Sequence, residues 1–210
     1  SSGGLTVAGM LMTSSSPSVF KNKIYNISSS SAGAPTVSGI VLSSVGTAGS
    51  ANIYNNIIGD IKAPNAVSAS ALAPSVRGIN VTSTTASSTV NIYYNSVYLN
   101  ASSIGATFST TALFATTSAT ATVAALTIRN NALINVSTPA GVGVATAYMR
   151  SSTTLTNYAA ASNTNIFYGG APDATHLIFY DGTNSVQTIG SFKSLVGSRE
   201  ANSGTENRTF

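Results

Sequence analysis

In the stretch VNIYYNSVYLN, residues 90–100, apolar side chains keep one parity as far as Ile92 and the other from Val97 onward. A strand repeats its inward face every second residue, so the switch predicts two strands joined by a corner at Asn95. The same pattern is an apolar residue, two positions, asparagine, one position and an apolar residue. It recurs at Val19, Asn22 and Ile24, at Ile53, Asn56 and Ile58, and at Ile128, Asn131 and Leu133. A degenerate fifth copy surrounds Asn165, with Phe167 in place and Ser162 where the first apolar residue belongs. Successive asparagines lie 34, 39, 36 and 34 residues apart, a period that marks a stacked repeat.

Between the corners a small residue opens an apolar run at Gly9, Gly39, Gly78, Ala112 and Ala147. Each unit therefore reads strand, turn, strand, asparagine corner, strand and variable Ser/Ala/Pro loop, the loops being expected to project from one side. Asparagine tolerates the left-handed backbone region that a sharp bend requires. Its amide can also hydrogen-bond the same amide one coil away, at about 4.8 Å. The spacing thus predicts a buried ladder of Asn22, Asn56, Asn95 and Asn131, with Ile53, Ile58, Ile92, Val97, Ile128 and Leu133 facing the core. The fold expected is all-β, a right-handed parallel β-helix of about five to six coils. Coils fill residues 1–170. Residues 171–210 supply the last coil and a C-terminal cap carrying Phe192, Leu195 and Val196 on an amphipathic segment. A propeller would need hairpin-closed blades, and Asn-Gly hairpin turns are absent.

Composition narrows the function classes. Only 7% of residues are charged, against about 25% in an ordinary soluble domain. The net charge of +4 comes from scattered basic residues with no cluster interleaved with aromatics, which argues against a nucleic-acid groove. No apolar run reaches the ~18 residues of a membrane helix. Cysteine is absent, which excludes a disulfide framework and thiol chemistry. The opening SSGGLTVAGMLMTSSS lacks the basic start and unbroken core of a signal peptide.

Several stretches, among them VNIYYNSVYLN, LTIRNNALINVS, SNTNIFYGG, LIFYDGTNSVQTIGSFKSLV and SREANSGTEN, resemble β-helix repeat regions of large secreted proteins of the Bacteroidetes type. Those proteins commonly end in a type IX secretion sorting domain, which this sequence does not contain. The resemblance runs from about residue 15 to the end. It implies the fold and an extracellular or cell-surface location, and little about activity.

Many β-helix proteins cleave polysaccharides, a chemistry that needs paired carboxylates, or a Ca²⁺ site with a base. The acidic residues are Asp60, Asp173, Asp181, Glu200 and Glu206, and only Asp60 precedes residue 170. Asp173 and Asp181 could approach each other, but Asp181 occupies an Asp-Gly turn. His176 is the only histidine. No catalytic residue, metal ligand or cofactor site is therefore assigned.

Phe20, Tyr54, Tyr93 and Arg129 each follow the first apolar residue of a corner motif. By alternation they should form an outward stripe, a candidate glycan site or an ordinary outer ladder. With no helix or charged segment ahead of the strand GLTVAGMLM, the first coil is expected to present an open edge. Leu5, Val7, Met10 and Met12 are then the candidate self-association residues, against another copy or a neighbouring segment of a longer chain. The function expected is a non-catalytic structural or adhesive module of an extracellular assembly. The alternative is a glycan-binding module or a lyase- or hydrolase-like β-helix.

Overall fold

A computed structural model of the chain describes residues 5–117 and 126–206. Short strands follow the corner pattern and stack into three parallel sheets. Sheet A contains Thr6–Met12, Thr36–Leu42, Val76–Val81, Thr110–Ala115, Ala145–Arg150 and His176–Tyr180, with the antiparallel Ser185–Val186 at its end. Sheet B contains Ser18–Phe20, Ser50–Tyr54, Thr89–Tyr93 and Leu126–Arg129. Sheet C contains Lys23–Ile24, Ile57–Gly59, Ser96–Leu99, Ala132–Asn135 and Ile166–Tyr168. A short pair, Ile27–Ser28 with Ile61–Lys62, joins the first two coils beyond sheet C.

The architecture is a parallel β-solenoid of about four turns. The four coils centred on Asn22, Asn56, Asn95 and Asn131 contribute to all three sheets. In the fifth, the sheet B strand shrinks to isolated bridges at Tyr158 and Asn163. The shortfall against five to six coils has a local cause. Ser162 replaces the branched residue that anchors sheet B elsewhere, and its buried hydroxyl instead accepts the Ile128 N–H at 3.1 Å.

Register ties the repeats to one core. Ile53, Ile92 and Ile128 are cross-strand neighbours in sheet B, and Ile58, Val97 and Leu133 in sheet C. All six are fully buried. The small residues of sheet A have a packing reason. A Cβ on Gly39 would come within 2.5 Å of Ile58 Cγ2, so the backbone of one sheet rests on the branched side chain that follows the asparagine corner.

The left-handed residue at each corner is not the ladder asparagine but the residue before it. Lys21, Asn55, Tyr94, Asn130 and Thr164 have φ of 57°, 54°, 56°, 55° and 58°. The bend therefore selects a backbone conformation whose side chain varies, and the next residue is held to asparagine by its hydrogen bonds.

The variable loops do not simply project. The loop ahead of Val76 folds over the outer face of sheet A, where Ala71 and Leu72 pack against Phe114, Val144, Met149 and Leu177. Arg77 lies 4.1 Å from the Phe114 ring centroid, and burial brings its pKa down to about 10. Sheet A is consequently buried on both faces from its second strand onward.

The C-terminal end closes with the one described helix, Ile189–Val196. Thr188 caps it by accepting the Ser191 N–H at 3.2 Å, and Gly197 ends it at φ 69°. Phe192 and Val196 are buried and Leu195 is half-buried. Phe192 sits 5.2 Å from Phe167 and 5.1 Å from Phe179, sealing an aromatic layer that also holds Tyr148 and Tyr158.

Candidate functional site: the ends and outer faces of the solenoid

Asn22, Asn56, Asn95 and Asn131 form one column, and it has a direction. The Asn22 backbone N–H and Nδ2 both donate to Asn56 Oδ1, at 3.1 and 3.0 Å. Asn56 does the same to Asn95 Oδ1 at 3.1 and 2.9 Å, and Asn95 to Asn131 Oδ1 at 2.9 and 3.0 Å. Asn131 continues to Asn165 Oδ1 at 2.9 Å twice, so the degenerate fifth copy is a full rung. From Asn56 onward each Nδ2 also donates to the carbonyl three positions before the preceding rung, as Asn95 does to Ile53 O at 2.9 Å. The buried amides are thereby spent on coil stacking.

The column ends in a plug that the asparagine repeat does not mark. Asn165 N–H donates to Ser203 Oγ at 2.8 Å, and its Nδ2 donates to Glu200 Oε2 at 2.8 Å. Ser203 also donates to Glu200, and Tyr158 Oη donates to the other carboxylate oxygen at 2.5 Å. Glu200 is fully buried. Burial pushes its carboxyl above the ordinary glutamate range despite those three donors. A signal was present: Ser203 lies 38 residues after Asn165, within the repeat period. A second buried charge, Arg150, is held by Tyr148 Oη at 2.8 Å, Thr154 O at 2.8 Å and Asn157 Oδ1 at 2.5 Å.

At the opposite end the described residues leave the first coil uncovered on its outer edge. Val7, Met10 and Val19 are half-buried, whereas their register partners Val37, Ile40 and Ile53 are fully buried. No described residue donates to Asn22 Oδ1. Leu5, Leu11, Phe20 and Tyr25 stand 45–62% exposed on this first coil. Met12, expected at the contact, is instead 6% exposed in the core of its own chain, because its side chain reaches the inward face at the end of the strand.

The outward stripe exists as a register column: Phe20 beside Tyr54, Tyr54 beside Tyr93, Tyr93 beside Arg129. Phe20 and Tyr54 stack at 4.9 Å with 7° between their planes. Those two rings spend their facing surfaces on each other. Tyr93 ties its hydroxyl to Asn91 Oδ1 at 2.9 Å. Among the described residues no loop covers the stripe: Phe20 and Arg129 are exposed and the two tyrosines half-buried.

The candidate acids serve their own turns. Exposed Asp173 accepts from Thr175 and His176 N–H groups at 2.6 and 2.7 Å and meets His176 Nδ1 at 2.9 Å, which holds its carboxyl far below the usual range. Buried Asp181 accepts from Thr183 and Asn184 N–H groups at 3.0 and 2.7 Å. Among the described residues no group of three or more His, Asp or Glu side chains could hold a metal ion, and no helix is long and apolar enough to cross a membrane.

No protein-family model, curated protein or solved structure matches this chain.

Proposed function

We propose that this chain is a non-catalytic structural module of an extracellular or cell-surface assembly, in which the first coil is covered by a neighbouring solenoid coil. The observation that carries the reading is the contrast between the plugged C-terminal end and the open first coil. Unpaired strand edges, half-buried Val7, Met10 and Val19, and the acceptor Asn22 Oδ1 all face the same way. The likeness to secreted Bacteroidetes-type repeat regions supports the location.

Direction selects the partner. A coil that extends the column must bring an N–H and an amide NH₂ to Asn22 Oδ1. The C-terminal end of a second copy would bring Ser203 and Glu200, whose donors and acceptors are already engaged. Two first coils facing each other would set acceptor against acceptor. An adjoining solenoid segment with the same chain direction meets the requirement, and we place it above self-polymerisation.

Because the chain has no cysteine, Leu5→Cys provides a unique probe at this face. In native material the expected results are a cross-link from position 5 to a solenoid segment, and loss of that association in Val7→Lys while the module stays folded. A monodisperse monomer whose position 5 labels freely would overturn the reading.

A further inference from the structure

Sheet B supplies a ruler for sheet C. Phe20 and Tyr54, one coil apart, stack at 4.9 Å. On the outer face of sheet C, Tyr98 pairs in register with Gly59. Tyr25 follows Ile24, whose partner is Ile58, so it falls in line with Gly59 from the other side. Two tyrosines thus stand two coils apart, about 10 Å, and the middle rung carries no side chain. A groove of about 260 Å³ lies over Gly59, lined by Tyr25, Tyr98, Ile57, Lys23, Asp60 and Ser96. Below Tyr98 the column continues with buried Ile134, so the gap has a firm floor.

We propose that this gap binds one pyranose ring of an oligosaccharide in the place of the missing rung. A ring seated midway lies about 5 Å from each tyrosine, within the 4.5–7 Å range at which ring systems stack. The C–H groups on a pyranose face carry partial positive charge and suit the negative face of a tyrosine ring. The rim favours a sugar over an aromatic side chain from another protein. Asp60 remains exposed although it pairs with Lys62 outside the groove at 2.5 Å, Lys23 lies 5.2 Å from the Tyr25 ring centroid, and Ser96 adds a hydroxyl; Asp60, Lys23 and Ser96 form the polar rim. These are donors and acceptors for sugar hydroxyls, with Lys23 placed to favour an acidic sugar. The site is separate from the aromatic stripe of sheet B, where Phe20 and Tyr54 turn their ring faces to each other. It is also independent of the coil-stacking role.

The test uses the whole chain with cellohexaose, chitohexaose, xylohexaose and trigalacturonate as probes. Binding is read by tyrosine fluorescence, which no tryptophan obscures, and by ligand-observed NMR. At least one probe is expected to bind, and Tyr25→Ala and Tyr98→Ala should each weaken it about tenfold. The decisive variant is Gly59→Tyr. Its Cβ would meet only Tyr98 O, at 3.3 Å, a tight approach that a shift of a few tenths of an ångström relieves, and the new ring then fills the rung. The variant should stay folded, checked by its circular dichroism spectrum, and abolish binding. The proposal is overturned if no probe binds, if Gly59→Tyr binds as well as the parent chain, or if the groove takes only aromatic peptides.

Discussion

The two ends of the solenoid solve one problem differently. Both terminate a core column, an asparagine column and three sheets. At the C-terminal end the aromatic layer of Tyr148, Tyr158, Phe167 and Phe179 is closed by Phe192, and the asparagine column is closed by Ser203 and Glu200. At the first coil the aliphatic Val7, Met10 and Val19 stay half-buried, and Asn22 keeps an acceptor without a described donor. A parallel ladder offers the same bonds at both ends. The difference therefore lies in side chains added after the repeat stops, and the finished end is the one with a buried charge.

The sharpest way to break this comparison is to remove a rung at each position. Asn95→Ala leaves the Asn56 N–H without its acceptor inside the core, takes one of two bonds from the Asn56 amide and from Asn131 Oδ1, removes a donor from the Ile53 carbonyl, and should cost about 3 kcal/mol. Asn22→Ala keeps the backbone bond to Asn56 Oδ1, removes only the Nδ2 donations to Asn56 Oδ1 and Phe20 O at a half-exposed edge, and should cost about 1 kcal/mol. Chemical denaturation of the two variants measures the gap, and equal costs would show that the first coil is as closed as the third.

The plug supplies a pH signature. Glu200 has a carboxyl raised by burial, so the folded chain holds its proton more tightly than the unfolded chain does. Stability attributable to Glu200 is full below the ordinary value of about 4.3 and falls as pH rises through the raised folded value. Asp173 is shifted the opposite way and acts below the ordinary aspartate range, outside that window. Glu200→Gln should flatten the fall in melting temperature over the window that opens as pH rises above the ordinary glutamate value of about 4.3. A parent chain whose melting temperature rises across it would refute the assignment.

The smallest effect concerns the corners. Tyr94 is 60% exposed and holds φ 56°. Tyr94→Gly should stabilise by about 0.5–1 kcal/mol, since glycine removes the Cβ penalty at a left-handed position. A thermal melt checks it, and a loss would mean the tyrosine side chain contributes more than its exposure suggests.

The sequence carried the repeat because hydrogen-bond demand restricts identity. A side-chain amide accepts two bonds from one neighbour and still donates two, one to the next rung and one to a carbonyl, which a hydroxyl with its single donor cannot do, so the rungs from Asn22 to Asn165 are all asparagine. Left-handed geometry restricts identity far less where the side chain faces solvent. Lys21, Asn55, Tyr94, Asn130 and Thr164 share a backbone shape and no single side-chain type, so the bend falls one residue before the position that the asparagine pattern marks. Glu200 was illegible for another reason. A lone acid in a polar tail reads as solvated surface, and only the three-dimensional approach of Tyr158, Asn165 and Ser203 makes it a buried acceptor. Ala71 and Leu72 were hidden likewise inside a Ser/Ala/Pro loop, whose composition says nothing of the sheet face it covers. The gap on sheet C depends on what Gly59 lacks between two tyrosines far apart in sequence.

The shared direction of the asparagine bonds has an electrostatic result. Stacked amides that all point one way add their dipoles, as peptide units do along a helix. The positive end of this column is the Asn165 amide, and it meets the Glu200 carboxylate. The negative end is Asn22 Oδ1, and its sequence neighbours are Lys21 and Lys23. In a chain with 7% charged residues, an acidic side chain stands at one pole and two lysines flank the other. The solenoid thus carries an oriented field along its corner. An approaching coil would sense which way the stack runs before any hydrogen bond forms.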